Sequence, residues 1–225
     1  MEFLQTVLPN LDRLSGELLR SLEQTFTMIA VSGSIAWVLG IAVGVLLVTT
    51  RSGGILENRI LFTCLDRTID IIRSIPFIIL IVLLIPLSRF LVGTGSGVTG
   101  SFVALTFGTV PFFARQIESV LSDVNHGLIE ASEAMGFSPR QIIFGVYLKE
   151  SIPGITRVTM ITFVSFVGLT AIAGAIGAGG IGDFAIRYGY QMGYRDMIWL
   201  TVLIILAIIS VFQCLGNWVI RRTTH

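Results

Sequence analysis

The sequence predicts an all-α, polytopic membrane protein with five transmembrane helices, and three observations lead to that expectation. The 225 residues are 53% hydrophobic and only 13% charged, with a mean hydropathy of +0.86, whereas a soluble domain carries about 25% charged residues. Uncharged runs long enough to cross a bilayer occur four times, at residues 24–50, 90–114, 158–182 and 197–220, each exceeding the roughly 20 residues a spanning helix needs. A fifth run, "SIPFIILIVLLIPLS" at 74–88, reaches that length if Ile69, Ile71 and Ile72 join it and Arg73 and Arg89 snorkel outward.

Taken in order, the chain opens with a segment, residues 1–23, whose Leu4, Leu8, Leu11, Leu18 and Leu22 recur at helical spacing. It reads either as an amphipathic helix lying in the membrane interface or as a helix packed on its own protein. Glu2, Asp12, Glu17 and Glu23 against Arg13 and Arg20 are the wrong balance for the basic start of a signal peptide, so no cleavage is expected. The spans follow at about 24–50, 69–90, 96–116, 156–180 and 197–220 within a membrane domain covering 24–222. Pro76 and Pro86 should kink or interrupt the second of these. Gly40 and Gly44 form a GxxxG in the first, which suits close helix approach within the subunit or across a dimer seam.

An odd number of spans puts the termini on opposite faces, and the Lys/Arg distribution chooses between them. Arg51, Arg59, Arg67, Arg73, Arg115, Arg140, Lys149, Arg157, Arg221 and Arg222 share one side, against Arg13, Arg20, Arg89, Arg187 and Arg195 on the other. The N-terminus is therefore expected outside, with the C-terminus and a polar segment at about 123–153 in the cytoplasm.

That polar segment interrupts an otherwise apolar chain. Residues 128–135 read as a short helix showing Glu130 and Glu133 on one surface, and Gly136 follows where a left-handed residue would end it. Ser138, Pro139 and Gln141 then occupy the N-cap, N1 and N3 positions of a second helix, which is a capping box with the favoured proline. Pro153 is expected to stop that helix before the next span.

Several function classes fall away. A net charge of +1 points to no nucleic-acid partner. Cys64 and Cys214 are isolated from one another and from ligand-spaced partners, and read as packing residues with neither a disulfide nor a metal site. "GAGGIG" at 177–182 satisfies GxGxxG literally, but it follows a span with no strand before it, and no GxxxxGK[ST] occurs. His126 and His225 have no recognisable nucleophile and base around them, and no cofactor is expected. An ion-coupled secondary transporter is the rival of another class, yet the spans hold no ionisable group at mid-depth. Arg115 and Glu118 come nearest, at the cytoplasmic end of the third span, where snorkelling or a local ion pair accounts for them.

"EASEAMGFSPRQIIFGVYL", residues 130–148, resembles the EAA loop of the permease subunits of ATP-binding-cassette importers, whose pattern runs Glu-Ala-Ala, then a Gly, then an apolar pair before a Pro. Glu130, Ala131 and Gly136 match it, Ser132 replaces the second Ala, Val146 with Leu148 stands for the apolar pair, and Lys149 replaces the Pro. "RSIPFIIL" at 73–80, "IPLSRFLVGT" at 85–94 and "GAIGAGGIGDFAIRYGYQMGY" at 174–194 look like the methionine-importer branch, and the likeness covers roughly residues 20–220.

The resemblance implies a type I ABC importer permease fold working as a homodimer in the bacterial inner membrane. It implies two copies of a separate ATPase subunit, a periplasmic or lipid-anchored substrate-binding protein, and a cargo of D- or L-methionine, with another amino acid or small metabolite as the alternative. The loop would be a coupling helix seated on the ATPase, with Glu130, Ala131, Ser132, Ala134, Gly136, Ser138 and Pro139 as its coupling residues. Gly136 would permit the corner, Glu130 would offer a carboxylate to a basic residue of the motor, and Ala131 with Ala134 would allow close approach. Ser74, Phe77, Thr106, Phe107, Met160, Ser165 and Thr170 are candidates for lining the pore, with core packing as their other possible role.

Overall fold

The structure, a computed structural model, describes residues 9–223; Glu2, Leu4, Leu8 and His225, singled out above, lie outside them. The described chain is helical, with no β-strand among those residues. In order the helices are α1 (Leu11–Met28), α2 (Ser34–Thr50), α3 (Arg59–Ser74), α4 (Phe77–Leu83), α5 (Ile85–Val92), α6 (Gly97–Ser122), α7 (His126–Ala134), α8 (Pro139–Ile142), α9 (Leu148–Glu150), α10 (Ile152–Ala173), α11 (Gly180–Phe184) and α12 (Arg195–Thr223). Single π-helical turns at Ile29–Gly33, Ile143–Tyr147, Gly174–Ala178 and Ala185–Gln191 interrupt them.

Four of the described helical runs are long and apolar enough to cross a membrane: Leu11–Thr50, Gly97–Ser122, Ile152–Ala178 and Arg195–Thr223. The stretch expected as the second span, 69–90, is not one helix. Pro76 forces the residue before it out of helical geometry, and Ile75 is extended at φ −85° and ψ 122°. Leu84, at φ −87° and ψ 0°, makes a second break, and Pro86 sits in the first turn of α5, where its missing N–H costs nothing. Both prolines act as helix boundaries, so interruption is the expected alternative that is realised, and the stretch is covered by three short helices.

The chain divides into two compact units. One holds the described residues up to Ile35 with Pro76–Phe107 and Phe163–Phe212. Here α1 buries Leu14, Leu18, Ser21, Thr25 and Met28, one stripe at helical spacing. Leu14 and Leu18 pack with Phe184 and Met197, and Met28 joins Leu105, Phe166 and Ala173. The side chain of Asn10 donates to the carboxylate of Asp196 at 3.0 Å. So α1 spends its apolar stripe on the protein itself.

The other unit holds Ala36–Ile75, Gly108–Thr162 and the described residues from Gln213. Its core joins α2, α6 and α10 through Val48, Phe113, Ile117, Leu121 and Val158. The GxxxG of α2 serves this packing, because a Cβ at Gly40 would stand 2.5 Å from the ring of Phe113 and one at Gly44 2.5 Å from Ile117. Of its two readings, approach within the subunit is the one realised. α3 adds a smaller cluster in which Ile69 meets Leu47 and Ala114. Cys64 and Cys214 are both exposed on the subunit, which corrects their reading as packing residues.

Candidate functional site: the central bent helix pair

The polar segment folds from local signals. Asn125 caps α7, its side-chain oxygen accepting from the N–H of Gly127 at 2.9 Å. One turn on, His126 Nδ1 lies 3.0 Å from Glu130 Oε1, both side chains exposed. His126 therefore opens this helix. The helix ends in two backbone bonds, Gly136 N–H to Glu133 C=O at 2.9 Å and Phe137 N–H to Ser132 C=O at 3.0 Å. That pair is the Schellman pattern, which requires a left-handed residue at the corner, and Gly136 supplies it with φ +80°.

α8 begins at once. Ser138 is extended at its cap, Pro139 takes the first turn, and Gln141 Oε1 accepts from Ser138 N at 2.8 Å and from Ser138 Oγ at 2.9 Å. The chain then continues through the π turn Ile143–Tyr147 into α9. The break before α10 falls at Ser151 (φ −90°, ψ 2°), not at Pro153, which lies in the first turn of α10 and needs no donor there.

Three side chains fasten this bent pair to its unit. Ile129 from α7, Ile142 from α8 and Tyr147 from the π turn are at most 5% exposed and pack with Val48, Phe113, Ile117, Leu121 and Val158. Burial of each contributes about 1.5–3 kcal/mol relative to exposure. Burial also pushes the Tyr147 hydroxyl above its ordinary pKa, an effect the positive charge of Arg51 partly offsets.

The opposite face is open. Glu130, Ala131, Glu133, Ala134, Gly136, Ser138 and Pro139 are all exposed. Leu128, Met135, Phe137 and Phe144 stand among them at 46%, 66%, 43% and 71% exposure. Four large apolar side chains on a short polar segment form the kind of surface that marks a protein contact. Ser132 does not join it. It is 4% exposed, and its hydroxyl donates to the Leu128 carbonyl at 2.7 Å, so of the seven coupling residues expected from sequence it alone faces inward.

A second cluster was only half visible in the sequence. Arg115 on α6 pairs with Glu118 at 2.8 Å, the local ion pair anticipated above, but the same guanidinium also holds Asp66 and, at 2.9 Å, Asp70. Asp66 and Asp70 lie four residues apart on one face of α3. Their i,i+4 spacing was the available signal; their distance from Arg115 in the sequence concealed the partner.

The glycine run at 177–182 is a packed corner. The N–H groups of Gly180 and Ile181, which would have to meet a phosphate in a nucleotide-binding loop, instead donate to Gln24 Oε1 at 2.7 Å and Thr25 Oγ1 at 2.8 Å.

Known proteins share both the sequence and the fold. The binding-protein-dependent transport system inner membrane component family matches residues 38–225. A probable D-methionine transport system permease protein of Vibrio cholerae serotype O1 is 42% identical over 208 residues, covering 92% of each chain. The D-methionine transport system permease protein of Salmonella typhimurium strain LT2 is 47% identical over 138 residues, 61% of this chain and 64% of that one. A solved structure of the MetNI methionine ABC transporter in an inward-facing conformation superposes with a TM-score of 0.90 at 40% identity, over 95% of this chain and 99% of that one. An amino acid ABC transporter superposes with a TM-score of 0.76 at 18% identity, which shows the shared fold alone. The match over most of the chain, on a helical membrane fold carrying an exposed bent helix pair, places this protein: it belongs to the binding-protein-dependent transport system inner membrane component family.

Proposed function

We propose that this chain is the membrane-spanning permease subunit of an ATP-binding-cassette importer for methionine, D- or L-, working as a homodimer with two copies of a separate ATPase subunit and a substrate-binding protein. The observation that carries the reading is the superposition on the methionine transporter's permease over 95% of this chain. The permease itself breaks and makes no covalent bond; its partner hydrolyses ATP.

The bent helix pair is the coupling element. Gly136 shapes its corner, Ser138 and Pro139 start its second arm, and Glu130 with the small faces of Ala131 and Ala134 meets the ATPase. Ser132 faces inward from behind, its hydroxyl bonded within α7 to the Leu128 carbonyl. Ile129, Ile142 and Tyr147 make the loop move with α2, α6 and α10 instead of independently of them. ATP binding closes the motor dimer, the docked pairs move with it, and the spans exchange between inward-open and outward-open arrangements about a path along the two-fold axis. Such coupling requires each nucleotide state to favour one arrangement, since a partner with equal affinity for both shifts nothing.

The N-terminus lies outside and the bent pair and C-terminus lie in the cytoplasm, a placement that rests on the Lys/Arg distribution. In a variant with Cys64 and Cys214 replaced by serine, a membrane-impermeant thiol reagent added to spheroplasts should label Ser96→Cys and spare Glu133→Cys; the reverse pattern would invert the topology. Cargo is tested by reconstituting permease, ATPase and binding protein in vesicles and competing labelled methionine against other amino acids. Methionine should compete best, and equal competition by unrelated amino acids would refute the cargo assignment.

A further inference from the structure

Beside the bent pair lies an open groove of about 380 Å³, formed by the end of α6, the start of α7 and the first turns of α10. A single water needs about 10–15 Å³ by this kind of measure, so the groove has room for far more. Val124, Leu128 and Val158 give it apolar walls, while Asp123, Glu150 and Arg157 stand at its rim. Among the described residues none of these three charged side chains has a hydrogen bond or ion pair. Ser151 also lines the groove; it is 5% exposed, and its buried hydroxyl has no hydrogen-bond partner.

We propose that this groove is a second contact for the ATPase subunit, receiving from it a side chain with an apolar stem and a cationic head, lysine or arginine. The proposal rests on the permease reading and extends it to a site outside the resembling motif's coupling residues. Charge complementarity selects the occupant. Asp123 and Glu150 outnumber Arg157 at the rim, and Glu130 and Glu133 add to the acidic excess on the adjoining face of α7. Leu128 belongs both to the groove wall and to that exposed face, so a partner seated on α7 continues into the groove. The methylene stem of a lysine or arginine suits the valine and leucine walls while its charge stays at the wet rim. With two such contacts the ATPase would grip α7 and the base of α10 together, which keeps the bent pair from pivoting when it is pulled.

The test uses the complete assembly in detergent or vesicles, with Cys64 and Cys214 replaced by serine. Asp123→Cys carrying a benzophenone maleimide should photo-crosslink the ATPase, as should Glu133→Cys on the exposed face of α7. Crosslinking from Glu133 but not from Asp123, or capture by Asp123 of a second permease copy or of lipid alone, overturns the groove assignment while leaving the docking reading intact. Failure at both positions overturns both. Asp123→Lys combined with Glu150→Lys, checked for membrane insertion and dimer formation, should weaken ATPase binding about tenfold. An unchanged affinity in that correctly assembled variant would also refute the proposal.

Discussion

At Gly136 a single backbone angle sets the shape of the bent helix pair. Its φ of +80° is a region where a residue with a Cβ pays about 1–2 kcal/mol, and a β-branched side chain pays more. Gly136→Val is therefore expected to open the corner between α7 and α8, abolish most uptake and leave membrane insertion intact, with Gly136→Ala milder; near-normal uptake by the valine variant would show that the corner is dispensable. Reversing charge at Glu130 should weaken ATPase capture in a pull-down, and an unchanged yield would remove that residue from the contact. The corner was legible in sequence because everything that makes it is local: a glycine, then serine, proline and glutamine at the start of the next helix. The inward face of Ser132 was not, because which side of a two-turn helix is buried depends on what packs against it, here the cluster around Phe113 and Tyr147.

Among the elements, α3 is thinly anchored by burial. Ile69 is its only fully buried side chain, so the bonds from Arg115 to Asp66 and Asp70 supply much of what positions it against α6. Arg115→Met would leave three carboxylates without their shared cation. Their exposures of 18–52% reduce the penalty below that of a buried pair, to about 1–3 kcal/mol. The unfolding midpoint of the purified protein should fall accordingly, and fall less for Asp70→Asn than for Asp66→Asn, since Asp70 is the more exposed partner. No change in midpoint for Arg115→Met would mean that apolar contacts alone hold α3. The same region shows what hydropathy alone leaves open. Hydropathy registers apolar content but not continuity, whereas Pro76 and Pro86 each sit where a new helix starts, which decides between a kink and an interruption in favour of the second.

For the molecule as a whole, class and membrane character were legible because a bilayer tolerates so few backbone solutions that uncharged runs of sufficient length announce helices. How the helices pack was not legible, because apolar side chains look alike in sequence. The pairing of α2 with α6 through Gly40 and Gly44 shows this, for a GxxxG identifies a close approach without naming the partner. If the bent helix pair is the coupling element, this protein transports only when another polypeptide drives it through that pair. The measurement that tests it most directly is methionine accumulation in vesicles holding the permease and its binding protein, with and without the ATPase subunit and ATP. Accumulation is expected only when both ATPase and ATP are present. Accumulation by the permease without them, powered by an imposed ion gradient, would contradict the account.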